Sequence, residues 1–138
     1  MPWWAYALIS AAFASATAIL AKIGIEGVPS NLATAIRTVV VLVFAWAIAL
    51  ALGEHKQLAH LSSKSWVFLG LSGIATGCSW LAYYRALQLG SASQVAPVDK
   101  LSVALTVVLA FTVLGETFSW RTTAGAVLIV LGTLLTIR

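Results

Sequence analysis

Long uninterrupted apolar runs alternate with short polar breaks along this chain, and inside the runs the apolar positions do not follow the every-second-residue rhythm of a half-buried strand. The first run occupies 3–21 and stops in Lys22-Ile-Gly-Ile-Glu-Gly-Val-Pro-Ser-Asn31. There Gly24, Gly27 and Pro29 break a helix, and Ser30 and Asn31 are suited to cap the next one. The second run covers 31–52. Residues 53–65 are the one long polar stretch, with Glu54, His55, Lys56, His60 and Lys64; it has room for a short surface helix but not for a span. A third run covers 66–87, Gly90-Ser91-Ala92-Ser93 turns into a fourth at 91–114 closed by Gly115-Glu116, and a fifth covers 121–137. About 20 residues rising 1.5 Å each cross a hydrocarbon core of ~30 Å, and in lipid only helices and closed barrels satisfy their backbone. Continuous rather than alternating runs choose helices. The pattern therefore predicts an all-α membrane protein, a five-transmembrane-helix bundle within a single domain at 1–138, with short connections making successive helices antiparallel neighbours.

Composition sharpens this. Apolar residues make up 61% of the chain and charged ones 9%, with a mean hydropathy of +0.99. A soluble domain carries roughly 45–50% and 25%, so a water-soluble fold is excluded. The lone Cys78 rules out an intrachain disulfide, and both histidines lie in the polar stretch. No His-Glu-x-x-His, phosphate-binding loop or Gly-x-Ser-x-Gly motif is present, so neither an enzyme nor a cofactor or metal is expected. No basic residue precedes the first apolar run, so it reads as a retained helix anchored by Trp3 and Trp4 at the interface.

The net charge is +4, but its distribution orients the chain weakly. With five spans the amino-terminal side receives Lys56, Lys64 and Arg121. The opposite side receives Lys22, Arg85 and Arg138 as flanking charges, with Arg37 and Lys100 one to two turns inside spans. A fixed topology and insertion in both orientations both fit this count.

Charges within spans usually face a bundle interior or an aqueous cavity. The fourth run opens with Gln94-Val-Ala-Pro97-Val-Asp99-Lys100-Leu-Ser102. Pro97 removes a donor and exposes a carbonyl, and Asp99, Ser102 and Thr106 share one helical stripe, with Lys100 rotated about 100° away and under no need to pair with Asp99. The structural alternative starts the helix after Pro97 and leaves both charges at the interface. The third run ends Ser79-Trp80-Leu-Ala-Tyr83-Tyr84-Arg85-Ala-Leu-Gln88, placing Trp80, Tyr84 and Gln88 on one face beside a guanidinium; an interfacial aromatic belt with a snorkelling arginine is the alternative. In the second run Asn31, Thr34 and Thr38 form a polar stripe next to Arg37, and in the first Ser10, Ala14 and Thr17 form a small face. The expected substrate-binding set is thus Trp80, Tyr83, Tyr84, Arg85, Asp99, Lys100, Ser102, Arg37 and Thr34. Its basic excess favours anionic or zwitterionic ligands, although structural ion pairs such as Arg85 with Asp99 account for the charges equally well. Gly125-Ala-Val-Leu-Ile-Val-Leu-Gly132 puts two glycines on nearly one face, a spacing that lets helices approach closely, and makes Gly125 and Gly132 candidate dimer contacts. Gly70, Gly73 and Gly77 are expected to serve packing inside the protomer.

Tyr83-Tyr84-Arg85-Ala-Leu-Gln-Leu-Gly-Ser-Ala-Ser-Gln-Val-Ala-Pro97, Leu114-Gly115-Glu116 and the Gly125…Gly132 helix resemble an EamA-like half of the drug/metabolite transporter superfamily. Most members look like two inverted five-helix halves fused into ten spans. The resemblance implies that one copy is completed by a second, an antiparallel homodimer forming a ten-helix transporter. The last helix is also similar to that of the four-helix small multidrug resistance proteins, but the first run here has no acidic residue before Glu26, where that group carries its embedded acid. The expectation is a multi-pass transporter of the inner or plasma membrane that moves small polar or amphipathic metabolites, such as amino acids or organic anions, by alternating access. Its partners are then a small-molecule substrate, the lipid bilayer and a second copy of itself, with no nucleic acid. A small multidrug or cationic exporter, and a lipid-flipping or assembly subunit with a hetero-partner, are the alternatives.

Overall fold

A computed structural model describes residues 1–117 and 119–137; Phe118 and Arg138, the latter one of the flanking charges counted above, lie outside the described residues. Every described element is helical: α1 (Trp3–Gly24), α2 (Ser30–Ala51), a 3₁₀ turn at Glu54–His60, α3 (Ser63–Leu89), α4 (Ala92–Asp99), α5 (Leu101–Thr112) and α6 (Trp120–Thr136). Four stretches are long and apolar enough to cross a membrane: α1, α2, α3, and α4 with α5 taken together as Ala92–Thr112. The apolar helix α6 has 17 residues, about 26 Å at 1.5 Å per residue, the lower limit for a span.

Boundaries shift from the sequence reading where polar residues turn out to be helical. Ser62 precedes and caps α3, which starts ahead of Trp66: its hydroxyl accepts the Ser65 N–H at 3.1 Å and its carbonyl accepts the Trp66 N–H at 3.1 Å. Ser63, Lys64 and Ser65 therefore form the first turn, where small polar residues satisfy free amides. Ser30 and Asn31 lie inside α2 instead of capping it; Pro29 holds the cap position, with its carbonyl accepting the Ala33 N–H at 3.0 Å.

The fourth run is two helices. Proline has no N–H, so the ladder loses a rung at Pro97, and the chain breaks at Lys100 between α4 and α5. Lys100 N–H bonds back three residues to Pro97 and Val103 N–H back three to Lys100, both at 3.0 Å, a tightened turn in place of a continuous helix.

The chain forms two compact units, one of residues 1–22 with 89–138 and one of residues 23–88. In the first, α6 packs on α4 and α5. Ala126 and Thr133, seven residues apart, are its buried positions. The Thr133 hydroxyl lies 3.1 Å from the Pro97 carbonyl and 2.8 Å from the Ile129 carbonyl, so its one proton serves either acceptor and ties α6 to the proline turn. Lys22 Nζ donates to the Gly90 carbonyl at 2.8 Å, just past the end of α3, where a helix dipole favours a cation. In the second unit Ile25, Ser30, Thr34, Tyr84 and Leu87 are buried, Leu87 fully. Most other large apolar side chains face outward, which in lipid is their solvent and carries no hydrophobic penalty.

One expected packing role needs correction. A Cβ added at Gly70, Gly73 or Gly77 would meet nothing within 4 Å, so these glycines do not mediate contacts inside the protomer. On α1 the packed positions are Ala18 and Ala21, which continue the small-residue face towards the end of the helix, while Ser10 and Ala14 nearer its start are exposed.

Candidate functional site

Arg37 sits seven residues into α2 and Trp80 nine residues before the end of α3, so both lie roughly 10–14 Å from their helix ends by a rise of 1.5 Å per residue. The Arg37 guanidinium carbon lies 4.1 Å from the ring centre of Trp80 and 5.6 Å from that of Tyr84. Trp80 and Tyr84 are four residues apart on α3, so one helical turn presents both rings to the same cation. Tyr84 is buried at 4% exposure, and its ring meets Tyr83 edge-on at 6.5 Å.

The magnitudes here matter. A guanidinium within a span costs about 2.5–3.5 kcal/mol by insertion scales. A desolvated cation–π contact returns about 2 kcal/mol, so two rings offset much of that cost without a carboxylate. The ion pair found among the described residues joins Lys100 to Asp99, and the guanidinium of Arg37 makes no hydrogen bond within them. A flat group with five donors and its face covered by aromatic rings keeps its N–H edge for an acceptor; a carboxylate is the natural one.

Beside this cluster, Arg85 Nη1 donates to Gln88 Oε1 at 3.0 Å, and Gln88 Nε2 donates to the Val28 carbonyl at 2.7 Å. Arg85 is therefore tethered through Gln88 to the loop before α2, and the guanidinium facing the aromatic stripe is that of Arg37. Gln88 itself was legible only as the third member of the Trp80–Tyr84 stripe; an amide at the end of a span must find backbone partners, and that need was the available signal. Thr34 is buried with its hydroxyl on its own helix, donating to the Ser30 carbonyl at 2.9 Å, and Thr38 repeats this on Thr34 at 2.8 Å. Both hydroxyls are spent locally.

Asp99, Lys100 and Ser102 belong to the other unit. Lys100 Nζ lies 3.3 Å from Asp99 Oδ2, so the two charges do pair, at the break between α4 and α5. The break divides the Asp99–Ser102–Thr106 stripe. Ser102 and Thr106 are exposed, and the Thr106 hydroxyl donates to the Ser102 carbonyl at 2.8 Å. The structural alternative that starts the helix after Pro97 fails, because α4 begins at Ala92. Gly125 and Gly132 lie on the open side of α6, with nothing within 4 Å of an added Cβ, one position round from the buried Ala126 and Thr133.

Four helical stretches long and apolar enough to cross a membrane define a polytopic helical membrane protein. The EamA-like transporter family model matches residues 1–138, and the chain belongs to that family. It is also similar to an uncharacterized transporter in the cobO 3' region of Sinorhizobium sp, 46% identical over 133 residues, covering 96% of this chain and 94% of that protein. No solved structure matches. The protein is a multi-pass membrane protein, and its kinship is with transporters, not enzymes.

Proposed function

We propose that the protein carries small anionic or zwitterionic metabolites, of the amino acid or organic anion kind, across the inner or plasma membrane by alternating access, with Arg37 as the carboxylate anchor and Trp80 and Tyr84 as the walls that hold it. The observation that carries this reading is the stacked Arg37 guanidinium with no acidic partner among the described residues. In this reading Tyr83 and Arg85, near the same end of α3, flank the approach, and Thr34, buried with its hydroxyl on Ser30, supports the part of α2 that carries Arg37. Asp99, Lys100 and Ser102 supply polar groups at the α4–α5 break, a place where irregular backbone inside a span suits a pathway.

In this reading residues 1–138 act as one transmembrane domain in which α6 is the fifth span, and a second copy inserted upside down completes a ten-helix transporter. The open Gly125 and Gly132 face of α6 supports it as the place where two copies meet, and a relative covered over 94% of its length supports a family form of this size. Rocking of one protomer against the other would expose a midplane site to each side in turn.

The test is a thermal-shift screen of the purified protein over amino acids, organic anions and quaternary cations, with transport of any hit into proteoliposomes. Stabilisation by carboxylates that disappears in Arg37→Gln supports the reading. Stabilisation by quaternary cations alone would overturn it in favour of a cationic exporter.

A further inference from the structure

At the far end of α5 the chain makes a sharp return. Gly115 adopts φ +66°, open to glycine and strained for other residues, and this brings the Glu116 N–H onto the Ala110 carbonyl at 3.1 Å. The turn explains Gly115 and the backbone of Glu116, but not the carboxylate. Among the described residues that carboxylate has no hydrogen bond and no ion pair.

Glu116 stands in the wall of a cleft of about 490 Å³ between the end of α5 and the start of α6, lined also by Leu109, Ala110, Val113, Thr117 and Thr122. Its size falls among small-ligand pockets, which run to roughly 300–1,000 Å³. Two properties select the occupant. The apolar wall continues into outward-facing Leu109, Val113 and Leu114, so the cleft is entered from the hydrocarbon. Its polar groups sit at a helix end, the level of lipid headgroups, with Trp120 74% exposed close by in sequence as an interfacial anchor.

We propose that this cleft seats a phospholipid with a primary-ammonium headgroup, phosphatidylethanolamine in kind: the ammonium donates to the Glu116 carboxylate, the phosphate accepts from the Thr117 and Thr122 hydroxyls, and an acyl chain lies along Leu109 and Val113. A choline headgroup has no N–H to give a carboxylate, so it forgoes the charge-assisted hydrogen bond. An anionic headgroup meets Glu116 with like charge. The protein's net charge of +4 argues globally for anionic lipid, so the cleft and the overall charge point to different lipids.

The experiment titrates delipidated, detergent-purified full-length protein with phosphatidylethanolamine, phosphatidylcholine and phosphatidylglycerol of identical acyl chains, reading bound lipid by native mass spectrometry. Phosphatidylethanolamine should bind about tenfold more tightly than the other two, the effect of one charge-assisted hydrogen bond. Glu116→Gln should erase the preference, and Ala110→Phe, which fills the cleft and leaves Glu116 in place, should erase it too. Equal binding of the three lipids, tightest binding of phosphatidylglycerol, or a preference that survives both substitutions overturns the proposal. If Glu116→Gln does not fold, the wild-type ranking and Ala110→Phe decide alone.

Discussion

Arg37 differs from the other basic residues in what holds it. Lys22 rests on a carbonyl, Arg85 on an amide side chain and Lys100 on a carboxylate, whereas Arg37 rests on two ring faces. Ring faces orient a guanidinium without consuming its donors, so this cation stays chemically available while its position is fixed. Arg37→Gln should leave the helices intact and weaken carboxylate binding by about tenfold or more, the scale of a charged hydrogen bond. Arg37→Lys should recover only part of the affinity, because an ammonium keeps the charge but loses the planar fork and the stacking. Binding isotherms for the three proteins check this, and wild-type affinity in Arg37→Gln would remove Arg37 from the site. Gln88 makes a complementary case. Its bonds to Val28 and Arg85 join a loop to α3, so Gln88→Leu should lower thermal stability by about 1 kcal/mol, the net worth of such a bond, with Arg37 still on its rings. An unchanged melting temperature would show that the tether is not stabilising.

The α4–α5 break is the main departure of an element from what the sequence predicts. The apolar runs located all four of the longer spans, because continuous hydrophobicity and the need to satisfy backbone in lipid leave few alternatives. Proline announced a disturbance in the fourth, but not where it would fall. The break lies at Lys100, where the Pro97 carbonyl accepts the Lys100 N–H and also lies 3.1 Å from the Thr133 hydroxyl, a contact 36 residues away in sequence. The Arg37–Trp80–Tyr84 cluster was half legible for the same reason: spacing along α3 gathers the aromatic residues, while the choice of Arg37 over Arg85 depends on which side of α2 faces them. Thr133→Val keeps the shape of the side chain and removes its hydroxyl. It should loosen α6 from the proline turn, lowering thermal stability by about 1 kcal/mol with the helical content unchanged. Far-UV circular dichroism beside a melting curve distinguishes this from loss of a helix. A Thr133→Val protein as stable as wild type would show that the Ile129 carbonyl alone accounts for the hydroxyl.

At the scale of the whole molecule, charge and packing each bear on the proposed pairing of two copies in opposite orientations. In the five-span arrangement proposed above, Lys56, Lys64 and Arg121 on one side balance the flanking Lys22, Arg85 and Arg138 on the other, so the positive-inside preference gives little net push. Reporters fused to the carboxyl terminus, each active on only one side of the membrane, should both give signal. Signal from one side alone would sink the antiparallel homodimer. Three added lysines in 53–65 should force one orientation and reduce transport, and a copy biased the opposite way should rescue it in part, because the two orientations then meet again. The contact surface is testable in the same background. Gly125→Leu with Gly132→Leu places two branched side chains on a face of α6 that is open within the protomer, so the monomer has room for them. If copies pack there, backbones that approached across glycine must separate, dispersion contacts are lost, and the dimer should dissociate in detergent while monomer stability holds. A double variant that remains dimeric would move the interface off α6.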